Sequence, residues 1–287
     1  MNILDDLKLQ YKTGGMVQKL IFWNIGLFVV FSLLEVVLKF SNIAFTYFDF
    51  VALSSNTAEF LAKPWTLVTF SFFHAGIFHL IFNLLVLHFS GRLFNTYFTD
   101  KQLFGVYLLG GIFSGLTFVL LYFFLGKTSL LVGASGAIMA LLIASATYAP
   151  FMLLRIPLIG IVKLWHVAFV ILLVDLIQLP LENMGGHLAH LGGAFFGFIY
   201  IKFLQSGTDL TKPISSTIDG IVTFLQPKKK TPFKKVHRNT TKKSVHSYSQ
   251  NKDITQKQID EILDKISQSG YDCLTKEEKE FLFKAGK

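Results

Sequence analysis

The sequence predicts an all-α membrane protein, a six-transmembrane-helix bundle with a small helical cytoplasmic tail. Composition gives the first reason: 52% of the 287 residues are hydrophobic and only 16% are charged, and the mean hydropathy of +0.51 is high for a soluble domain. The apolar residues lie almost wholly before Leu204, whereas most charges follow it. Six apolar runs also come close to the roughly 20 residues that cross about 30 Å of hydrocarbon.

These six runs define a membrane core at residues 20–204. The first run, 20–38, follows a polar segment and precedes no small-residue cleavage pattern, so we interpret it as a helix of the mature protein and not as a signal peptide. The other five predicted spans are residues 78–94, 103–125, 132–149, 164–179 and 187–204.

Basic residues in the short loops predict that both termini face the cytoplasm, because Lys and Arg are retained on that side. They flank one side of the predicted bundle: Lys8, Lys12, Lys19, Arg92, Lys101, Arg155 and Lys163. The opposite loops carry chiefly Lys63 and Lys127. We therefore expect residues 1–19 to form a cytoplasmic segment of a multi-pass protein in the lipid bilayer of the bacterial inner (plasma) membrane.

The first loop, residues 41–77, is long and apolar, and it is rich in aromatic residues. They are Phe45, Tyr47, Phe48, Phe50, Trp65, Phe70, Phe72 and Phe73. Loops of this length are uncommon without a function. Since aromatic side chains favour the bilayer interface, we expect the loop to lie on or partly in the outer leaflet. A mobile loop outside the membrane is the alternative.

Residues 205–252 are predicted to be a basic, disordered linker. Between Pro227 and Lys243 the chain has eight Lys or Arg residues and no Asp or Glu. Such a stretch favours contact with anionic lipid headgroups, and a solvated linker without a specific partner is the alternative. Binding of nucleic acid is disfavoured, because the stretch is tethered to a membrane helix.

Residues 253–287 are predicted to form a small cytoplasmic helical hairpin. Four apolar residues follow the i, i+3, i+4, i+7 spacing of one helix face: Ile259, Ile262, Leu263 and Ile266. Ser269 and Gly270 end this helix, and a second begins after Thr275. The hairpin either docks on a partner or on the membrane core, or is a passive appendage.

Several kinds of active site are disfavoured by missing motifs. The sequence has no His-Glu-x-x-His and no Cys-x-x-Cys run, and the carboxylates Glu35 and Asp175 do not form a paired pattern. We therefore expect no metal and no other cofactor. Asp175, near the end of the fifth run, is either functional, as ionisable groups at this depth often are, or a capping carboxylate that reaches water.

Ser135 is the candidate nucleophile, because its small neighbours leave its hydroxyl unscreened. A serine needs a base within hydrogen-bond reach, and His190 is the candidate. Four glycines near these two residues favour close helix packing: Gly133, Gly136, Gly193 and Gly197. Each residue alone also has a plainer interpretation, with Ser135 as a packing residue and His190 as a hydrogen-bond partner between helices.

His79 and Asn83 weaken those plainer interpretations. They lie at i and i+4 on one face of the second predicted helix. Side-chain imidazoles and amides can donate to a developing oxyanion beside a backbone N–H group, here that of Ser135. By the predicted topology His79, Ser135 and His190 also share one membrane depth, so water can reach the three of them from the outer side.

At this point the sequence resembles the rhomboid intramembrane serine proteases. The resemblance covers residues 65–204 and rests on three motifs in the family's order: His79-Leu80-Ile81-Phe82-Asn83, Gly133-Ala134-Ser135-Gly136, and Ala189-His190 followed by Gly193 and Gly197. The resemblance implies a Ser135–His190 dyad without an acidic third member and an oxyanion hole from the Ser135 N–H group, His79 and Asn83. It also implies a membrane-embedded first loop and a mobile cap at residues 179–186.

Two positions depart from the family's pattern, and a third leaves a choice. Trp65 is followed by Thr66 where many members have Arg, and Met139 occupies the position of an aromatic residue that stacks on the catalytic imidazole. A thioether can also contact a ring favourably. His187, three residues before His190, is a second candidate base, and the glycine spacing favours His190.

The sequence thus predicts an intramembrane serine endopeptidase that cleaves peptide bonds in or beside the transmembrane segments of membrane protein substrates. The alternative is a catalytically silent relative that binds membrane clients. Such relatives typically lose the serine or the histidine, and this chain has both Ser135 and His190.

Overall fold

The computed structural model describes residues 2–157, 159–180, 183–225 and 249–285. They fall into two compact units, Met1–Pro227 and Lys228–Lys287. The described helices of the first unit are α1 (Ile3–Thr13), α2 (Met16–Phe40), α3 (Phe48–Val51), α4 (Thr57–Ala62), α5 (Thr66–Thr69), α6 (Ile77–Asn95), α7 (Asp100–Leu125), α8 (Ser135–Tyr148), α9 (Leu164–Gln178), α10 (Met184–Gln205) and α11 (Lys212–Leu225). Its strands are β1 (Leu53–Ser54), β2 (Leu130–Leu131), β3 (Leu153–Ile156) and β4 (Gly160–Lys163).

Four of these helices, α2, α6, α7 and α10, are long and apolar enough to cross a membrane. The two remaining apolar helices are shorter, with 14 residues in α8 and 15 in α9, or about 21–23 Å at 1.5 Å per residue. Large apolar side chains are exposed along α2 and α9, among them Val30, Leu33, Val37, Phe169 and Ile177. A mostly helical integral membrane protein is thereby confirmed, with four spans by length where the sequence predicts six.

Helix α8 lies at the centre of the first unit. It contacts α6, α7, α9 and α10, and its residues from Gly136 to Ala146 are all buried. Small residues dominate this stretch, so neighbouring helices can approach its backbone closely. Leu103, Val106 and Tyr107 of α7 and Tyr200 of α10 complete the surrounding core.

The first loop is a folded part of the unit. It contains α3, α4, α5 and a 3-10 turn at Phe70–Phe72, and its strand β1 pairs with β2 in antiparallel register. Tyr47 and Phe73 are buried against α2 residues Leu27 and Phe31. The indole nitrogen of Trp65 donates to the carbonyl oxygen of Phe50 at 2.8 Å. The loop is therefore held by its own aromatic residues on one side of α2.

The predicted linker at residues 205–252 is wrong at its start, because Lys212–Leu225 forms helix α11. Ile214 and Ile218 lie on one side of α11 and, with Phe104 and Leu108 of α7, line a shallow apolar cavity. Lys101 forms an ion pair with Asp219 at 2.6 Å. Apolar contact with α7 therefore stabilises a helix where a linker is predicted. The basic stretch after Leu225 lies outside the described residues.

The second unit is a helical hairpin. Helix α12 (Ser249–Ser269) is followed by a 3-10 turn at Tyr271–Cys273 and helix α13 (Lys276–Ala285). Gly270 follows α12 with a φ of +78°, a left-handed conformation that glycine adopts without strain. Ile262 and Leu274 are buried between these elements.

Candidate active site

Ser135 is the first residue of α8, and its position depends on the backbone just before it. Gly133 has a φ of +134°, which residues with a side chain rarely adopt. The N–H group of Gly133 donates to the carbonyl oxygen of Phe70 at 2.9 Å, which ties this turn to the first loop. No side chain caps the N-terminus of α8. The first amides of the helix are therefore free to donate to a group bound beside Ser135.

Ser135 and His190 line one cavity of about 360 Å³, together with Asn83 and Asp175. The rest of the wall is apolar and comes from α6, α8 and α9: Phe82, Val86, Ile138, Met139, Val170, Ile171 and Val174. Met139 is buried and belongs to this apolar wall. The cavity therefore combines a few polar groups with an apolar lining, as small binding sites generally do.

Glycines bring α8 and α10 together beside this cavity. A Cβ atom added at Gly193 would collide with the carbonyl oxygen of Gly136, and one at Gly197 would collide with that of Ala140. A Cβ at Gly136 would meet the Ser114 hydroxyl of α7. Only residues without a side chain permit this backbone contact, which sets the spacing between the helices of Ser135 and His190.

His79 lies on the other side of Gly133. A Cβ atom at Gly133 would lie 2.9 Å from His79 Nε2 and 3.7 Å from Ser135 Oγ, so the two side chains share one neighbourhood. Asn83 is buried, and its amide donates to the carbonyl oxygen of His79 at 2.8 Å. That bond uses one of the two amide protons, and the second is left for the cavity.

Ser135 forms no hydrogen bond with His190 among the residues that the structure describes, although both side chains line the same cavity. Catalytic hydrogen bonds are often long or misaligned before substrate binds. The geometry therefore places the two candidate residues, Ser135 and His190, in one cavity without a hydrogen bond between them.

Asp175 contacts both candidate bases, which the sequence does not predict. Its Oδ1 atom lies 2.8 Å from His190 Nδ1 and 2.7 Å from His187 Nδ1. Asp175 is 5% exposed, so it is not a capping carboxylate that reaches water. The resemblance implies a dyad without an acidic member, whereas in this structure an aspartate on α9 contacts the ring of His190 on α10.

The same contacts separate the two histidines. His190 lines the cavity with Ser135, whereas His187 is absent from its wall. The His187 side chain is also the more buried, at 12% exposure against 23% for His190. His190 is therefore the imidazole that shares the cavity with Ser135, and His187 lies outside the cavity wall.

The three side chains are also a group that could hold a metal ion, since one ligand atom from each of Asp175, His187 and His190 lies within 4.8 Å of the others. Their nitrogen–oxygen distances of 2.7 and 2.8 Å are those of hydrogen bonds. Hydrogen bonding alone thus explains why these three side chains lie so close together.

His74 and the predicted cap also lie near the site. His74 is buried, and its ring lies 5.2 Å from that of His79 in an edge-to-face arrangement. In the predicted cap, residues 181 and 182 lie outside the described residues, and Asn183 caps α10 by accepting a hydrogen bond from the Gly186 N–H group.

Comparison with known proteins gives two family matches, one in each unit of the chain. The Rhomboid domain matches residues 61–206, just over half of the chain. A family of unknown function, DUF6576, matches residues 245–284.

Among curated proteins, the mitochondrial presenilin-associated rhomboid-like proteins of Mus musculus and Homo sapiens are 32% identical to the chain over 154 and 155 residues. Each match covers 52% of this chain and 40% of the relative. The corresponding protein A of Danio rerio is 32% identical over 142 residues, which are 48% of this chain and 37% of the relative. The matches thus span less than half of those relatives' length. On the strength of the domain match, this chain belongs to the rhomboid family.

Proposed function

We propose that this protein is an intramembrane serine endopeptidase that cleaves peptide bonds in or beside transmembrane segments of other membrane proteins. One observation carries the proposal: Ser135 and His190 line a single cavity whose remaining wall is mostly apolar. A nucleophile and a base in an apolar cavity of a membrane protein fit an apolar peptide substrate better than a soluble metabolite.

In the proposed reaction His190 takes the proton of the Ser135 hydroxyl while Oγ attacks the carbonyl carbon of the scissile peptide bond. The tetrahedral intermediate then collapses, the C–N bond breaks, and His190 gives its proton to the leaving amine. His190 then deprotonates a water that attacks the acyl-enzyme. The ester C–Oγ bond breaks, the new carboxyl group is released, and His190 returns the proton to Oγ of Ser135. Both half-reactions use the same base, and no cofactor takes part in this scheme.

Three donors are proposed for the oxyanion. They are the N–H group of Ser135 at the uncapped start of α8, the His79 imidazole beside Gly133, and the free amide proton of Asn83. Donors fixed before the reaction stabilise the developing charge most where water is excluded. Burial of Asn83 and the apolar wall of the cavity support such an arrangement.

The proposed substrates are transmembrane protein segments that unwind readily near the outer face, because a helix hides its carbonyl groups in intrahelical bonds. The apolar wall from α6 and α9 suits such a segment. Cleavage requires the residues around the scissile bond in extended form, which helix-breaking residues near the bond would favour.

We also propose that all six apolar helices cross the bilayer, with both termini in the cytoplasm and the basic stretch 227–243 in contact with anionic lipid. The short α8 fits this scheme, because the chain before it is paired through β1–β2, and Leu131, Gly133 and Ala134, next to the helix, are buried in protein, as backbone at membrane depth must be. The sequence favours a bacterial inner membrane. A mitochondrial location is the alternative, after the names of the relatives.

A second candidate function is binding of membrane clients without cleavage. The missing hydrogen bond between Ser135 and His190 among the described residues favours it, since an inactive site need not join them. The two candidates differ in one measurable property, which is whether a peptide bond is broken.

The test is cleavage of a tagged model transmembrane substrate in membranes by the wild-type chain, Ser135→Ala and His190→Ala. Ser145→Ala is a matched control, because Ser145 lies on the same helix and donates to the Leu141 carbonyl away from the cavity. We expect product from the wild type and the control and none from the two site variants. The amount of each variant in the membrane, and its folding after extraction in detergent, are measured in parallel.

Two results would contradict the proposal. Cleavage that survives in Ser135→Ala would remove the serine mechanism. Binding of the substrate without any product from the wild-type chain, over several substrates with different helix-breaking residues, would favour the client-binding function instead.

A further inference from the structure

We infer that Asp175 is a positioning residue for the His190 base, and that His187 holds the carboxylate in place. This inference rests on the proposed function, since a base needs positioning only if it takes a proton. It replaces a two-residue apparatus with a chain of four side chains: Ser135, His190, Asp175 and His187.

One carboxylate oxygen carries both contacts. Oδ1 of Asp175 lies 2.8 Å from Nδ1 of His190 and 2.7 Å from Nδ1 of His187. All three side chains are largely buried, with 7% of Asp175, 12% of His187 and 23% of His190 exposed. Such distances are typical of hydrogen bonds to a charged acceptor, and low exposure limits competition from water.

The chemistry of the carboxylate fixes the proton on each ring. An ionised carboxylate only accepts hydrogen bonds, so both Nδ1 atoms must carry a proton. In a neutral imidazole the other nitrogen, Nε2, is then the acceptor. The Nε2 atom of His190 is therefore ready to accept the proton of Ser135, and the negative charge beside Nδ1 stabilises the imidazolium that results.

The placement of the histidines on α10 explains how one oxygen reaches both. His187 and His190 are three residues apart, and residues at i and i+3 are neighbours on a helix surface. Asp175 comes from α9, which packs beside α10. The remaining oxygen, Oδ2, is buried and has no partner among the described residues. Among the described residues, the Asp175 carboxylate is therefore hydrogen-bonded by His190 and His187 alone.

A purely structural tie between α9 and α10 is the competing explanation. Two observations favour positioning. Asp175 lines the cavity together with Ser135 and His190, and a tie between helices needs no contact with the cavity. A carboxylate at this depth is also costly, and an apolar pair would join the helices without that cost.

The test compares Asp175→Asn with the wild type in cleavage of the model substrate in nanodiscs, with kcat and KM determined separately. An amide in place of the carboxylate can donate to Nδ1 and reverse the tautomer of His190. We expect kcat to fall about a hundred- to ten-thousandfold, with KM within about threefold because asparagine keeps the size of Asp175 in the cavity wall. Glu35→Gln is the matched control, since Glu35 pairs with Lys39 on α2.

Two further measurements separate positioning from a loss of folding. Asp175→Ala is assayed with added formate, which is small enough to restore a carboxylate at this position and is expected to recover part of kcat. Nitrogen-15 NMR of histidine-labelled protein, assigned with His187→Gln and His190→Gln, reports the tautomers directly. We expect the Nδ1–H form of His190 in the wild type and its loss in Asp175→Asn.

The outcomes distinguish this inference from the proposed function. Cleavage that is lost in Ser135→Ala but keeps its kcat in Asp175→Asn would overturn the inference alone, and so would an Nε2–H tautomer of His190 in the wild type. Absence of any cleavage by the wild type would overturn both. Cleavage that a chelator abolishes and Zn²⁺ restores would show that the three side chains hold a metal, and would also overturn the inference.

Discussion

Helix α10 contacts its two neighbours α8 and α9 by different means. Toward α8 it presents Gly193 and Gly197, whose Cα atoms lie against backbone carbonyl groups. Toward α9 it presents His187 and His190, which share one oxygen of Asp175. Both contacts lie beside the cavity of Ser135.

The two kinds of helix contact reflect the lipid that surrounds a membrane protein. Lipid tails are as apolar as leucine side chains, so burial of apolar surface drives helix association weakly, and close packing and polar contacts take its place. Backbone contact fixes how far apart α8 and α10 lie. The polar contact with α9 fixes the orientation of an imidazole ring. Distance and orientation of the base are thus controlled by separate features of the sequence.

The largest effect is expected at the glycine contact. Gly193→Ala would force a Cβ atom into the Gly136 carbonyl group, and we expect the free energy of unfolding to fall by about 1–3 kcal/mol, as for overpacking elsewhere, with loss of cleavage. Unfolding in detergent, followed by circular dichroism, measures the change.

Gly26→Ala is the matched control for this substitution. Gly26 lies in α2, and nothing described lies within 4 Å of the added Cβ. Here alanine should leave stability unchanged or raise it by about 0.5–1 kcal/mol, because glycine disfavours the helix. Equal losses for Gly193→Ala and Gly26→Ala would mean that backbone contact with α8 is not the cause.

A smaller effect is expected at the polar contact. A double-mutant cycle of Asp175→Asn and His187→Gln should give a coupling free energy of about 0.6–2 kcal/mol, the range for hydrogen bonds between membrane helices. The same cycle with Glu35→Gln in place of Asp175→Asn should give none, since Glu35 pairs with Lys39. A coupling near zero in the first cycle would mean that the two side chains do not share a hydrogen bond in the membrane.

Residue patterns along the chain predict the glycine contact and the helices, but not the polar contact. Apolar runs indicate all six of the helices α2, α6, α7, α8, α9 and α10, because a helix in lipid must be apolar over its length. Gly136, Gly193 and Gly197 reveal a packing face by their small size and spacing. These are local properties that a single sequence contains.

Asp175 shows what local patterns cannot supply. Its charge in an apolar helix marks it as unusual, but its partners are 12 and 15 residues away on another helix. Which side chains contact it depends on how α9 and α10 cross, which is a tertiary property. Helix α11 is a different case, since the spacing of Ile214, Ile218 and Val222 is that of one helix face. The many polar residues around these three make that pattern weak in the sequence.

The smallest effect is expected where a polar contact faces water. In the C-terminal hairpin Lys265 Nζ lies 2.6 Å from Glu278 Oε1, and the lysine side chain is 59% exposed. The hydrogen bond from Lys265, with that from the Thr275 N–H group, lowers the pKa of Glu278 below its ordinary range. Stability from this pair is therefore present above the ordinary pKa and is lost as pH falls through the lowered one.

Lys265→Met should consequently leave the melting temperature of residues 249–285 nearly unchanged at neutral pH, because exposed pairs contribute little, and should reduce its dependence on acid pH. Amide NMR signals of these residues in the full chain, followed with temperature from acid to neutral pH, measure both. Lys284→Met is the control, since its nitrogen lies 3.8 Å from Glu280 and both side chains are more exposed. A clear fall in the melting temperature of Lys265→Met at neutral pH, with none in Lys284→Met, would contradict the prediction, because the exposed pair would then contribute substantially to stability.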